Sequence, residues 1–255
     1  MKHPTADAAP APPGSPGVDV AGLQKRLAAL LPGVRADLET LIRIPSVSAP
    51  AFDQQQVEAS AAAVAELLRG AGLPEVEVVR VDGGAPAVVG RRRAPSGAPT
   101  VLLYAHHDVQ PPGDPALWHT PAFVPTERQG RLYGRGAADD KAGIAMHLAA
   151  LRALGDDLGV GVTVFVEGEE EIGSPTFSGF LAAHRDRLAA DVIVVADSGN
   201  WRLGEPALTT SLRGLVDGVV TVRAGRVQRR DSSRPAPSSR TPSSTPASAR
   251  SRSSA

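Results

Sequence analysis

The spacing of hydrophobic and polar residues predicts a single large domain built from alternating helices and strands. Helical spacing marks four segments: Val20 to Ile44-Pro45, Gln54 to Leu68, Lys141 to Leu154 and Thr176 to Leu188. Strand-like runs mark five more: Val76–Val81, Ala87–Arg91, Val101–Ala105, Val160–Val166 and Val192–Ala196. The last three runs are continuously apolar, which is typical of strands covered on both faces. We therefore predict an α/β fold with a mostly parallel sheet sandwiched by helices.

The two ends of the chain differ in composition from the part between them. Residues 1–17 are rich in Pro and Ala and lack the long apolar segment of a secretory signal, so they predict a disordered leader. Residues 225–255 are rich in Ser, Arg and Pro and contain too few apolar residues for a core, so they predict a disordered tail. The folded domain is expected to span residues 18–224.

Composition limits the metal ligands and the binding partners that the chain can have. The chain has no cysteine, which excludes thiolate ligands, leaves His and carboxylates for any metal, and fits a cytoplasmic protein. No apolar run approaches the roughly 18 residues of a membrane span. The net charge of zero conceals a basic tail, because residues 226–255 contain seven Arg and one Asp. Such a tail could bind nucleic acid, but it has no aromatic residue to stack on bases, so we disfavour that role.

Four polar clusters follow predicted strands or begin a predicted helix. They are His106–Asp108, Asp139-Asp140, Glu167–Glu171 and Asp197. Singly, each has an ordinary alternative as a polar strand end, a helix cap or a solvated acidic face. Together, one His and several acids gathered at the carboxyl ends of sheet strands predict a site for one or two divalent ions. A cation would also relieve the repulsion among the glutamates.

Several motifs resemble, in order and spacing, the zinc peptidases and deacylases that include carnosinase-type dipeptidases, acetylornithine deacetylase and carboxypeptidase G. The matching positions are Ile44–Ser48, His106–Pro112, Trp118, Pro121, Phe123, Gly130–Gly136, Asp139–Lys141, Glu170–Ser174 and Asp197. The resemblance covers about residues 20–224. It implies a zinc-exopeptidase-like catalytic domain that cleaves amide bonds of small substrates. Asp108–Pro112 and Leu212–Leu215 lean toward the dipeptidase branch.

The resemblance also implies the metal ligands. Two Zn²⁺ ions, for which Mn²⁺ or Co²⁺ could substitute, would be bridged by Asp139, whose peptide bond to Asp140 is expected to be cis. His106 and Asp197 would hold one ion, and Glu171 would help to hold the other.

Two further residues receive catalytic roles from the resemblance. Glu170 would be the general base that takes a proton from water and passes it to the leaving amine, and Asp108 would orient His106. Four histidines match no ligand position of the family, and we expect them to be structural or on the surface: His107, His119, His147 and His184. The substrate would be a small peptide, or alternatively an N-acyl amino acid cleaved by the same metal site.

The resemblance stops at Ala224. A later His that completes the second metal site, and a lid domain that carries the homodimer interface, would be expected beyond it. The sequence continues instead into the Ser/Arg/Pro segment, which has the composition of out-of-frame translation of a GC-rich gene. We therefore expect a C-terminally truncated chain without its lid domain, with weak metal binding and little or no activity.

Overall fold

The computed structural model describes residues 19–202, 204–205, 207–212, 214, 216 and 218–221. The predicted leader and tail lie outside these residues, as do Arg213 and Leu215 of the dipeptidase-like motif. The chain divides into two units, Met1–Gly199 and Asn200–Ala255. In the described part of the second unit, Arg202 and Glu205 form an isolated bridge.

The first unit contains the helices and strands that the sequence predicts, with ends shifted by a few residues. The helices are α1 (Val20–Ile42), α2 (Gln55–Gly70), α3 (Lys141–Leu154) and α4 (Phe177–Leu188). The strands are β1 (Glu75–Val79), β2 (Ala87–Arg92), β3 (Thr100–His106), β4 (Thr126–Arg128), β5 (Arg131–Tyr133), β6 (Gly161–Glu167) and β7 (Val192–Val195). The prediction missed the β4–β5 hairpin, because strands of three residues are too short to show an alternating pattern.

Five strands form one sheet in the order β1-β2-β6-β3-β7. Strand β2 is antiparallel to both β1 and β6, whereas β3 is parallel to β6 and β7. Four of the five strands therefore run in the same direction, which confirms the mostly parallel sheet. The register pairs His106 with Glu167, so the carboxyl ends of β3 and β6 lie side by side at the same end of the sheet.

Helices cover the two faces of the sheet with separate apolar clusters. On one face, α1, α2 and α3 contribute to a cluster that includes Leu41, Val64, Leu68, Leu148 and Val164. On the other face, α4 packs on a smaller cluster of Ala87, Val89, Leu102, Phe165, Phe180 and Leu188. Both clusters are buried, and this burial is the main source of the stability that keeps the strand ends in place.

Strand β7 corrects one prediction. Its apolar run indicated a buried strand, but all four side chains are 42–64% exposed. In the described part of the chain β7 pairs only with β3, so it lies at the edge of the sheet. An apolar run shows that a strand can be buried, but it does not distinguish a central strand from an edge strand.

Two sets of contacts near the site join segments that are distant in the sequence. The fully buried Lys141, the first residue of α3, donates from Nζ to the carbonyls of Leu41 and Ile44 at 2.8 and 2.7 Å. Leu41 lies in the last turn of α1 and Ile44 just beyond the helix, so this contact ties the start of α3 to the end of α1. Val47 and Val109 form a parallel bridge, with the Val109 N–H donating to the carbonyl of Ser46 at 2.9 Å. None of the described helices has the length and apolar character to cross a membrane.

Candidate metal centre

His106 lies at the centre of the site, at the end of β3, with its side chain fully buried. Its Nδ1 is 3.1 Å from the carbonyl oxygen of Asp108 and 3.3 Å from that residue's Oδ1. Its Nε2 is 3.0 Å from Asp139 Oδ1, 3.8 Å from Asp197 Oδ2 and 3.9 Å from Glu170 Oε2. Acids that follow β6, follow β7 and precede α3 therefore converge on one nitrogen of the imidazole at the end of β3.

The surroundings of His106 fix which nitrogen can bind a metal. Both acceptors near Nδ1 belong to Asp108, so a proton on Nδ1 is well placed and leaves the Nε2 lone pair directed at the acids. Burial alone disfavours the protonated ring. The Asp108 hydrogen bond and the negative charges of Asp108, Asp140 and Asp197 outweigh burial and raise the pKa of His106 to about 10. The same negative field would favour a divalent cation at Nε2.

Asp108 connects His106 to the segment that follows β6. Its carboxylate is fully buried and accepts from the backbone N–H of Glu170 at 3.2 Å and of Glu171 at 3.1 Å. Burial disfavours its charged form, but hydrogen bonding to His106 more than compensates and the pKa of Asp108 is lowered. The orienting role of Asp108 stays a prediction, for which this geometry is suitable, and the same carboxylate holds the backbone of the two glutamates.

The two adjacent aspartates have different surroundings, and they come from the start of α3 rather than from a strand end. The peptide bond between Asp139 and Asp140 is cis, as the resemblance implied. Asp140 is fully buried; its Oδ2 accepts from the His106 N–H at 3.1 Å and its Oδ1 from the Gly143 N–H at 3.2 Å. Burial raises the pKa of Asp140 to about 7. The Asp139 side chain is 61% exposed and faces His106 Nε2.

Two overlapping groups of ligand atoms have the spacing of a metal site, each with its atoms within 4.8 Å of one another. They are His106, Asp139 and Glu171, and His106, Asp140 and Asp197. Both use His106, whose single free nitrogen can bind one ion. Asp139 has an accessible side chain that faces His106 Nε2, whereas the fully buried Asp140 directs its oxygens at backbone N–H groups, so Asp139 is the better placed ligand of the pair.

The donor set suits divalent ions. One imidazole and several carboxylates are ligands that Zn²⁺ accepts, and Mn²⁺ also binds carboxylates. The buried Lys141 directs its amine at the carbonyls of Leu41 and Ile44 rather than at the acids. A first ion would be held by His106, Asp139 and Asp197, and a second by Asp139 and Glu171; these assignments stay predictions.

The four glutamates of the segment Glu167–Glu171 form two pairs with different surroundings. Glu170 and Glu171 begin a short 3₁₀ turn after β6, and burial is the largest factor that raises the pKa of each. Glu169 turns away, accepting from the Thr176 N–H at 2.8 Å and hydroxyl at 2.6 Å and from the Ala85 N–H at 3.2 Å. Glu167 is buried and accepts from the hydroxyl of Tyr104. Only the first pair faces the site.

The buried histidines outside the ligand set have backbone partners. His107 Nε2 is 2.8 Å from the Pro86 carbonyl, and burial lowers the pKa of His107 to about 4. His147 Nε2 is 2.9 Å from the Tyr104 carbonyl, and its pKa is lowered, again chiefly by burial. Each ring is therefore neutral at pH 7 and donates to a carbonyl, which agrees with the structural role expected from the sequence.

Sequence reasoning assigned no role to two residues at or near the site. Gln110 lies within the Asp108–Pro112 motif and hydrogen-bonds the Glu171 carboxylate. Tyr104 precedes His106 by two residues and hydrogen-bonds Glu167. Proximity to His106, and for Gln110 its place in that motif, were the available sequence signals, since neither a Gln nor a Tyr marks a metal site by residue type.

Comparison with known proteins identifies the family of the chain. Residues 102–250 match the model of Peptidase family M20/M25/M40. The chain is 44% identical over 133 residues to a cysteinylglycine-S-conjugate dipeptidase of Corynebacterium striatum, covering 51% of this chain and 29% of the relative. It is 35% identical over 133 residues to a succinyl-diaminopimelate desuccinylase of Coxiella burnetii, covering 49% of this chain and 35% of the relative.

Solved structures show the same similarity. The structure of human carnosine dipeptidase 1 superposes with a TM-score of 0.64 and 28% sequence identity, covering 72% of this chain and 42% of that one. The chain therefore spans less than half the length of each of these three proteins.

Proposed function

The chain belongs to peptidase family M20/M25/M40, and from this premise we propose that it forms part of a metal-dependent dipeptidase that hydrolyses small peptides. The observation that carries the proposal is the convergence of three acids on His106 Nε2, with Asp139 at 3.0 Å, Asp197 at 3.8 Å and Glu170 at 3.9 Å. The relatives named as dipeptidases support the substrate class.

We assign the proton transfers to Glu170. When bound, the ions supply Lewis-acid chemistry, which lowers the pKa of water toward ~7 and polarises the substrate carbonyl. Glu170 belongs to neither group of ligand atoms, and its pKa is raised by burial and then by nearby Asp197 and Glu171, with His106 opposing them. It is thus placed to accept a proton from the attacking water and to donate it to the leaving amine.

The metal identity and the division of ligands between two ions belong to this proposal. We favour Zn²⁺ because the donor set contains an imidazole. In the described part of the chain the second ion has only Asp139 and Glu171 as protein ligands, so we expect it to bind more weakly than the first. For the same reason the 255-residue chain is expected to hydrolyse peptides slowly.

A second candidate activity uses the same centre. The desuccinylase from Coxiella burnetii is 35% identical to this chain and its name describes removal of an acyl group. An N-acyl amino acid deacylase needs the same ligands and the same general base, so the described site does not separate it from a dipeptidase. Cytoplasmic localisation, homodimerisation and the nature of residues 225–255 also stay predictions.

Product analysis tests the two activities directly. The zinc-loaded chain would be incubated for hours with cysteinylglycine, β-alanyl-histidine and an N-succinyl amino acid, and the products quantified by mass spectrometry. We expect slow release of amino acids from the dipeptides, abolished by a chelator and by Glu170→Gln. Cleavage of only the N-succinyl substrate would favour the deacylase, and metal-independent cleavage that survives Glu170→Gln would contradict both.

A further inference from the structure

Gln110 makes three hydrogen bonds to Glu171, more than it makes with any other residue in the described chain. Its backbone N–H donates to Glu171 Oε1 at 3.1 Å, and its side-chain Nε2 donates to Oε2 at 2.7 Å and to the backbone carbonyl at 2.9 Å. One residue therefore holds both carboxylate oxygens and the main chain of the same glutamate.

The segment around Gln110 is itself fixed on both sides. Before it, Val109 donates to the Ser46 carbonyl at 2.9 Å. After it, Arg135 Nη2 donates to the Pro111 carbonyl at 3.1 Å, and Trp118 Nε1 donates to the Pro112 carbonyl at 2.7 Å. The Arg135 guanidinium also lies over the Trp118 ring, 5.6 Å from its centroid.

Glu171 needs such a partner, because its neighbours repel it. Its ligand oxygen lies within 4.8 Å of that of Asp139, so the two negative charges repel each other. A free glutamate in this position would gain rotamer entropy and reduce repulsion by turning toward solvent. The Asp108 carboxylate fixes the Glu171 backbone at 3.1 Å, but only Gln110, among the described residues, fixes its carboxylate.

The chemistry of the Gln110 contact is compatible with metal binding. A carboxylate has about four lone-pair positions, so two accepted hydrogen bonds leave others for an ion. The donors are neutral, so the full negative charge of Glu171 stays available; a Lys or Arg in the same place would compete with the cation. Glu171 also remains within 4.8 Å of the His106 and Asp139 ligand atoms while it is held.

We infer that Gln110 is a positioning residue that holds Glu171 in place to bind the second metal ion. This inference rests on the proposed metallohydrolase function. Residues that hydrogen-bond a ligand typically change metal affinity by about 10–100-fold when they are removed. The loss should be confined to the second ion, because Gln110 makes none of the described contacts with His106, Asp139 or Asp197.

Metal titration of the full 255-residue chain tests the inference. Zn²⁺ binding would be measured by calorimetry and Co²⁺ binding by visible absorption, for the parent, Gln110→Ala and the control Gln55→Ala, whose side chain is exposed on α2. We expect Gln110→Ala to weaken the second ion about 10–100-fold and leave the first within about threefold, while Gln55→Ala matches the parent. Thermal unfolding of the metal-free proteins would check folding, and Gln110→Asn, whose amide is one methylene too short, replaces Gln110→Ala if that variant fails to fold.

The possible outcomes separate the inference from the proposed function. If the parent binds two ions and Gln110→Ala binds both within about twofold, Gln110 does not position Glu171. If Gln110→Ala loses both ions to the same extent, its role is general folding support and the inference is wrong. If the parent binds neither ion, the metal centre and the inference are both wrong.

Discussion

At the scale of single residues, different hydrogen-bond partners give chemically identical side chains different roles in the site. Asp139 and Asp140 are adjacent and chemically identical, yet Asp140 has both oxygens engaged by backbone donors and Asp139 faces His106 Nε2. Sequence spacing predicted that the acids would gather, but it did not reveal Gln110. A neutral amide has no residue-type signal for metal chemistry, and its role follows only from the fold.

The raised pKa of His106 predicts that metal affinity depends on pH. The pKa of His106 is raised to about 10 in the metal-free chain, so a metal that binds Nε2 must displace a proton below that pH. Metal affinity therefore rises with pH, by about tenfold per pH unit from this residue alone. We expect apparent Zn²⁺ affinity to increase at least about 100-fold from pH 6 to pH 8, and groups such as Asp140, whose pKa is about 7, add in the same direction.

Competition with a chelator of known affinity, corrected for the chelator's own protonation, measures this dependence. Calorimetry in buffers of different ionisation enthalpy should show about one proton released per first ion at pH 8. An affinity that is unchanged between pH 6 and pH 8 would show that His106 is not protonated in the free site or is not a ligand.

At the scale of elements, the helices and strands of the first unit were largely predictable, because their apolar periodicity is long and regular. The helix Lys141–Leu154 was predicted with its observed ends. The edge position of β7 was not predictable, since strand order depends on pairing between segments far apart in the chain. The close packing around Gly168, after β6, was also not predictable, because the sequence does not show which atoms lie next to a glycine in the fold.

Gly168, between β6 and the Glu170 turn, gives a prediction at this scale. A Cβ on Gly168 would lie 2.5 Å from the Pro86 carbonyl oxygen and 2.7 Å from His107 Nε2. Both are buried, and Pro86 contributes backbone, so neither can move easily. We expect Gly168→Ala to lower the free energy of unfolding by about 1–3 kcal/mol, the usual cost of overpacking.

Chemical denaturation measures the effect, with Gly179→Ala as the matched control. Gly179 lies within α4, and a Cβ there meets nothing within 4 Å. Alanine is a better helix former than glycine by about 1 kcal/mol, so Gly179→Ala should be neutral or stabilising. Equal stabilities for the two variants would contradict the described packing between Gly168, Pro86 and His107.

At the scale of the whole molecule, the sheet brings together residues that are distant in sequence. His106 and Glu171 come from the neighbouring carboxyl ends of the parallel strands β3 and β6, Asp139 from just before α3, and Asp197 from beyond β7. Apolar burial on both faces of the sheet holds this arrangement against the repulsion of the acids. We expect a bound cation to relieve that repulsion, so metal binding and the stability of the domain should be linked.

The number of Zn²⁺ ions bound by the purified chain, measured together with their affinities, tests the metal centre most directly. We predict two ions of unequal affinity, with the tighter one lost in His106→Gln and both retained in Glu170→Gln, because Glu170 is a base and not a ligand. Failure of the parent chain to bind any ion stoichiometrically, or loss of the tighter ion in Glu170→Gln, would contradict the account.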